Sequence, residues 1–244
     1  MSDMYKAPQA ELTNGEEHGD FGSVEKGIAG DYSFSISETV SEGWRLSKGK
    51  KRTVWLGILL YVIALIAITV VAGFITGVFT AEGDASFTQE LIYNLITTII
   101  GFPLAAGMTM IGIKIARGED TSGTEVLAYF DKIVPLVIVN FLMAIFIFIG
   151  LLLLVLPGIY LMVAYLFAIP LVVDQNLGPW QALEASRKAV TKRWFSFLGF
   201  LILLLLIGLA GFLAVLIGMI WALPLLFIAI GVAYRKVFGS PHRA

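Results

Sequence analysis

The sequence predicts an all-α fold: a polytopic membrane bundle of six transmembrane helices, arranged as three repeated helical hairpins with short cytoplasmic amphipathic helices. Three observations predict it. The 244 residues are 58% hydrophobic and 14% charged, with a mean hydropathy of +0.86, a departure from soluble averages that long apolar segments produce. Residues 133–173 and 194–234 each run for 41 residues without a charged side chain. All 17 Lys and Arg fall in the tails or in alternate connections between apolar runs.

Residues 1–34 carry seven acids, two bases and many glycines but few large apolar side chains, a composition that predicts a disordered acidic cytoplasmic tail. Its opening, YKAPQAEL, reads either as a plain solvated segment or as a recognition segment for a cytosolic partner. The first apolar run opens near Thr53, too far from Met1 for a signal peptide, so the N-terminus is expected to be retained. Residues 35–244 form the membrane domain.

In that domain Ser35 and Glu38 have capping-box spacing, and Ile36, Val40 and Trp44 share one face, the pattern of a short surface helix. The first two spans, about 53–80 and 88–113, are separated by the polar, acidic AEGDASFTQE. Ser122 and Glu125 offer a second capping box before the third span. The run 133–173 is about 60 Å of helix, two hydrocarbon thicknesses, and must fold back on itself. Pro157-Gly158 supplies the turn, which gives spans at about 133–156 and 159–173. Pro179 opens a third amphipathic stretch with Trp180, Leu183, Val190 and Trp194 on its apolar stripe. Spans at about 194–212 and 215–234 follow, turned by GLAGFLAVLIG.

Charge placement orients the bundle. The three connections on one face carry no base, and the first of them carries Glu82, Asp84 and Glu90. By the positive-inside rule both termini are expected in the cytoplasm.

A threefold repeat is written into this pattern. GFPLA around Pro103, AIPLV around Pro170 and ALPLL around Pro224 place a Pro-Leu pair in each returning helix. Glu42, Arg45, Lys50, Lys51 and Gly57 align with Glu184, Arg187, Lys192, Arg193 and Gly199 at one constant offset of 142. The expected unit is a surface helix, an outgoing span and a returning span.

The stretch IPLVVDQNLGPWQALEASRKAVTKRW resembles a motif of the membrane domain carried by some bacterial glycerophosphodiester phosphodiesterases and of its stand-alone, YciC-like inner-membrane relatives. The motif covers about a tenth of the chain. The chain has no room for the phosphodiesterase domain, so the resemblance implies a bacterial cytoplasmic (inner) membrane protein without that activity.

Catalytic readings find little to use. The only histidines, His18 and His242, lie in the tails, there is no cysteine, and no nucleophile-elbow, phosphate-loop or zinc-protease motif occurs. No catalytic residue, metal ligand or cofactor is predicted, and nothing points to nucleic acid. The span interiors offer only neutral polar groups, such as Asn94, Thr97, Thr98 and Asn140, and the asparagines are expected to hydrogen-bond across helices. Gly73 and Gly77 have the spacing of a helix-packing motif.

Asp174, at a helix end where the dipole disfavours it, needs a nearby base or the amides of the next helix. Glu184 and Arg187 are spaced for a local ion pair. Lys48, Lys50, Lys51 and Arg52 before the first span, and Arg187, Lys188, Lys192 and Arg193 before the fifth, are the candidate lipid head-group residues. Pro103, Pro157, Gly158, Pro170, Asp174 and Pro224 are the candidate structural motif. The functional expectation is a non-enzymatic protein that organises or binds lipids or membrane partners, with a permease or channel for a lipid-like or small neutral substrate as the alternative.

Overall fold

A computed structural model of the protein describes residues 21–80, 84–214 and 217–239. The described residues form helices and connections: α1 (Val24–Ala29), α2 (Ile36–Thr76), α3 (Phe87–Arg117), α4 (Ile133–Leu153), α5 (Val155–Ala164), α6 (Ala168–Asp174), α7 (Pro179–Thr191), α8 (Trp194–Leu213) and α9 (Met219–Phe238), with 3-10 turns at Gly123–Leu127 and Phe130–Lys132. Six helical segments are long and apolar enough to cross a membrane, the pattern of a multi-pass membrane protein.

Residues 21–34 differ from the expected disordered tail. Ser23 caps α1, whose C-terminus closes on Gly30 in the left-handed region at φ 84°. Beyond it, Tyr32 and Phe34 are buried. The Tyr32 hydroxyl donates to the Ala189 carbonyl at 2.8 Å, and Phe34 stacks on Phe197 with ring centroids 4.3 Å apart. Averaged over 34 residues the tail looked too polar to fold, but its apolar side chains are concentrated in the last third, where they reach the core. Burial pushes the Tyr32 phenol up to about 12, so it remains a neutral donor at physiological pH. Residues 1–20, including YKAPQAEL, lie outside the described residues.

The amphipathic stretch before the first span is not a separate helix. Ser35 caps it, accepting from the Glu38 amide, and α2 then continues unbroken for 41 residues, about 60 Å. Nothing between Ile36 and Thr76 breaks it, since no proline occurs there and its internal glycines keep helical geometry. The first part of α2 therefore runs antiparallel along α9. The Arg235 guanidinium meets Glu42 at 2.7 Å, Gly43 lies against Ala229, and the Trp55 indole N–H donates to the Ile220 carbonyl at 3.2 Å. Gly77 ends α2 at φ 77°, and the Phe79 ring folds back onto Gly73. The two glycines thus shape a helix end rather than a helix-packing face.

The second expected capping box does not form. Gly123–Leu127 is a 3-10 turn without a side-chain cap; Glu125 instead binds Lys114 at 2.7 Å and accepts from the Tyr129 hydroxyl. In the second hairpin the reversal is at Leu154, which is extended at φ −159° and ψ 140°. Pro157 follows it inside the first turn of α5, where its missing N–H has no helical partner to lose. Gly158 permits contact with Gly150 across the hairpin. The returning arm is itself broken between α5 and α6, just before Pro170, whose ring crowds the preceding turn. Pro103 and Pro224, by contrast, sit inside unbroken helices. The last span begins at Met219 rather than near 215 and runs on to Phe238.

Burial divides the segments into two sets. In the most apolar stretch of α2, of Gly123–Leu153 and of α8, 11%, 17% and 22% of residues are buried; in α3, in Val155–Asp174 and in α9 the shares are 50%, 50% and 67%. The outgoing segments are peripheral and the returning ones central. Pro103, Pro170 and Pro224 are all buried. α3 and α9 cross where Gly112 and Gly231 bring the two backbones together: a Cβ on Gly231 would overlap the Gly112 carbonyl, and one on Gly112 would overlap that of Phe227.

Candidate functional site

The C-terminal ends of the three returning arms, α3, α6 and α9, converge on a network of ionised groups. Asp174 closes α6 and takes a base as its partner: Arg117, at the end of α3, holds it in a fork with contacts of 2.7 and 2.6 Å. The Tyr234 hydroxyl donates to the same carboxylate at 2.8 Å and the Gln175 amide at 2.7 Å. The Arg117 guanidinium also lies 5.6 Å from the centre of the Tyr234 ring. With four donors, the carboxylate is satisfied despite the unfavourable helix dipole.

A second pair closes the bundle beside it. Arg235 reaches from α9 to Glu42 on α2 and donates to the Ala116 carbonyl at the end of α3. The Arg117 and Arg235 side chains are 4% and 7% exposed, and the Nε atoms of both are buried without a partner. These ions are fixed structural contacts: each is held by an opposite charge, and breaking a buried pair by removing one partner costs about 3–5 kcal/mol.

α7 connects to the broken arm through one hydroxyl. Ser186 Oγ donates to the Ala164 carbonyl at 2.7 Å and accepts from the Phe167 amide at 3.1 Å, so it bridges backbone groups freed by the α5–α6 break. The break turns Phe167 into the core, against Phe197, Tyr234 and Phe238. The sequence pattern around Pro170 predicts only a Pro-Leu pair in a continuous returning helix; it marks neither the α5–α6 break nor Ser186 as its partner.

The candidate head-group residues do not form one rim. Lys48, Lys50 and Arg52 are exposed, and Lys51 stands 4.8 Å from the centre of the Trp221 ring, at the start of α9. Arg193 instead lines a cavity with Lys236, at the end of α9. The two basic groups are thus separated along α9, because α2 extends beside it instead of lying apart as a surface helix. Arg187 binds Glu184 at 2.9 and 2.8 Å, and Lys188 approaches the same carboxylate at 3.3 Å. Those hydrogen bonds hold the Glu184 carboxyl below its ordinary range and raise the Arg187 guanidinium. Lys192 and Arg193 have no carboxylate partner among the described residues.

The span interiors hold polar groups that are satisfied locally. Asn94 donates to the Glu90 carbonyl and Asn140 to the Leu136 carbonyl, both at 2.8 Å, and the Thr97 hydroxyl donates to the Tyr93 carbonyl at 2.9 Å. The asparagines therefore bond within their own helices rather than across to others. Among the described residues no group of three or more His, Cys, Asp or Glu is placed to hold a metal ion.

No protein-family model matches the chain, and neither does any curated protein or any solved structure.

Proposed function

We propose that this chain is a non-enzymatic multi-pass protein of the bacterial cytoplasmic membrane, which binds anionic lipids and organises them or a membrane partner. The observation that carries the reading is the division of its charges. The ions inside the bundle are tied to one another, whereas Lys48, Lys50 and Arg52 are exposed and have no ion pair among the described residues, beside an apolar span whose side chains face outward. Bases in that setting attract anionic head groups at about 1 kcal/mol each.

The permease alternative draws less support, since Asn94, Thr97 and Asn140 satisfy themselves within their helices and offer no aligned polar path. The resemblance of the Pro170–Trp194 stretch to the membrane domain of bacterial phosphodiesterases and their YciC-like relatives favours the bacterial inner membrane. The bases between Lys114 and Lys132 and between Arg187 and Arg193 favour a cytoplasmic face at the ends of the returning arms, whereas Lys51 stands beside the start of α9. Three repeated hairpins are part of the same proposal, supported by the alternation of peripheral and central segments and by three buried prolines in the returning arms.

Native mass spectrometry tests the lipid reading. Replacing Lys48, Lys50 and Arg52 with Gln should leave insertion intact and lower retained phosphatidylglycerol relative to phosphatidylcholine by about fivefold or more. Equal retention in a correctly inserted variant would leave those bases with an orienting role only.

A further inference from the structure

At the far end of α9 from Lys51, residues 21–33 fold over the ends of α7 and α9 and border a half-open cavity of about 440 Å³. Its lining includes Lys26, Arg193 and Lys236, with Asp31 as the one acid among the lining residues. The cavity exists because the segment docks there. Gly22 lies against the Val237 carbonyl, its amide donates to the Arg235 carbonyl at 3.1 Å, and Tyr32 anchors the other side on Ala189.

The three bases are short of counter-charge. The Lys236 side chain is only 8% exposed, and its nearest carboxylate, Glu38, stands 3.8 Å away, beyond hydrogen-bond distance. Arg193 has the Tyr32 ring beneath it at 5.6 Å and no carboxylate partner among the described residues. Lys26 is exposed and likewise has no ion pair among them. A lysine whose side chain is nine-tenths buried costs desolvation to whatever extent its ammonium leaves water, unless an anion compensates it.

We propose that this cavity is a binding site for a phosphate group, with Lys26, Arg193 and Lys236 as its donors. A guanidinium fork and two ammonium groups suit the several oxygens of a phosphate better than the two of a carboxylate. The volume also admits a small alcohol esterified to the phosphate. Trp194 and Phe195 follow Arg193 directly; the Trp194 indole is fixed on the Tyr160 carbonyl at 3.2 Å, and Phe195 is 82% exposed. A tryptophan in such a place marks the depth of lipid head groups. The phosphate belongs either to such a head group or to a soluble ester, and only the first source rests on the lipid reading above.

The test uses the purified full chain in phosphate-free detergent for calorimetric titration with inorganic phosphate and with glycerol 3-phosphate. The same chain in phosphatidylcholine nanodiscs, with and without phosphatidylglycerol, is read by native mass spectrometry. Lys26→Gln and Arg193→Gln alter exposed side chains and should each weaken binding of the responding probe by about fivefold, while Arg45→Gln, an exposed base outside both proposed sites, should not weaken binding of the soluble probes. Loss of the soluble probes assigns a soluble ester, and loss confined to phosphatidylglycerol assigns a head group. Absence of binding by every probe, or binding undiminished in both variants, overturns the site. If the Lys48, Lys50 and Arg52 variant loses phosphatidylglycerol while Lys26→Gln and Arg193→Gln do not, the lipid reading stands and this pocket falls.

Discussion

Ser186 shows how much can depend on one hydroxyl in an apolar core. Pro170 makes a bend between α5 and α6 favourable, but a bend frees backbone groups that lipid and core cannot satisfy. By bonding the Ala164 carbonyl and the Phe167 amide together, Ser186 makes the bend tolerable and lets Phe167 turn inward. Ser186→Ala should therefore destabilise the protein by about 1–3 kcal/mol, the cost of leaving buried polar groups unpaired. Thermal unfolding in detergent would read this, with Ser196→Ala on the neighbouring α8 as the comparison expected to change little. Neither the break nor its relief was legible in the sequence: Pro103 and Pro224 carry the same Pro-Leu pair inside unbroken helices, and a serine inside an amphipathic helix looks the same whether it faces water or a broken turn. Asp174 was legible for the opposite reason. A carboxylate at a helix C-terminus is electrostatically misplaced, so a partner could be inferred, though only the fold identifies it as Arg117 with Tyr234 and Gln175.

At the scale of elements, apolar runs and their punctuation located the six segments but misjudged how they join. Capping signals at Ser35 and Pro179 mark true helix starts. The same spacing at Ser122 failed, since Glu125 is drawn to Lys114 and Tyr129 instead of back to the backbone. A polar-to-apolar change near Thr53 suggested two helices, yet helical propensity is indifferent to that change and α2 continues through it. Residues 21–34 were misread because average composition conceals where the few apolar side chains lie. The α3–α9 crossing was equally hidden, for Gly231 has no small residue four positions away and the Gly112–Ala116 spacing names no partner helix. The contact between Gly112 and Gly231 leaves no room for a side chain, so Gly231→Leu should force the two helices apart and lower the unfolding midpoint by several degrees in a bundle of this size. The same change at Gly101, where an added Cβ meets nothing within 4 Å, would not move backbone against backbone. If Gly231→Leu is as stable as the parent, the close crossing is not the central contact of the bundle.

For the molecule as a whole, the peripheral outgoing segments and central returning arms account for the position of the ionised network. Only the returning arms are buried enough to protect it, and it ties their ends together. The same arrangement makes the account testable by topology, because it depends on every returning arm ending on one face of the membrane. The chain contains no cysteine, so single cysteines can be introduced without removing any. Asp84→Cys, between α2 and α3, and Asp120→Cys, after α3, should be probed with a membrane-impermeant maleimide in intact and permeabilised cells. Labelling of Asp84→Cys in intact cells, with labelling of Asp120→Cys only after permeabilisation, is the predicted result. Labelling of Asp120→Cys in intact cells would contradict the account.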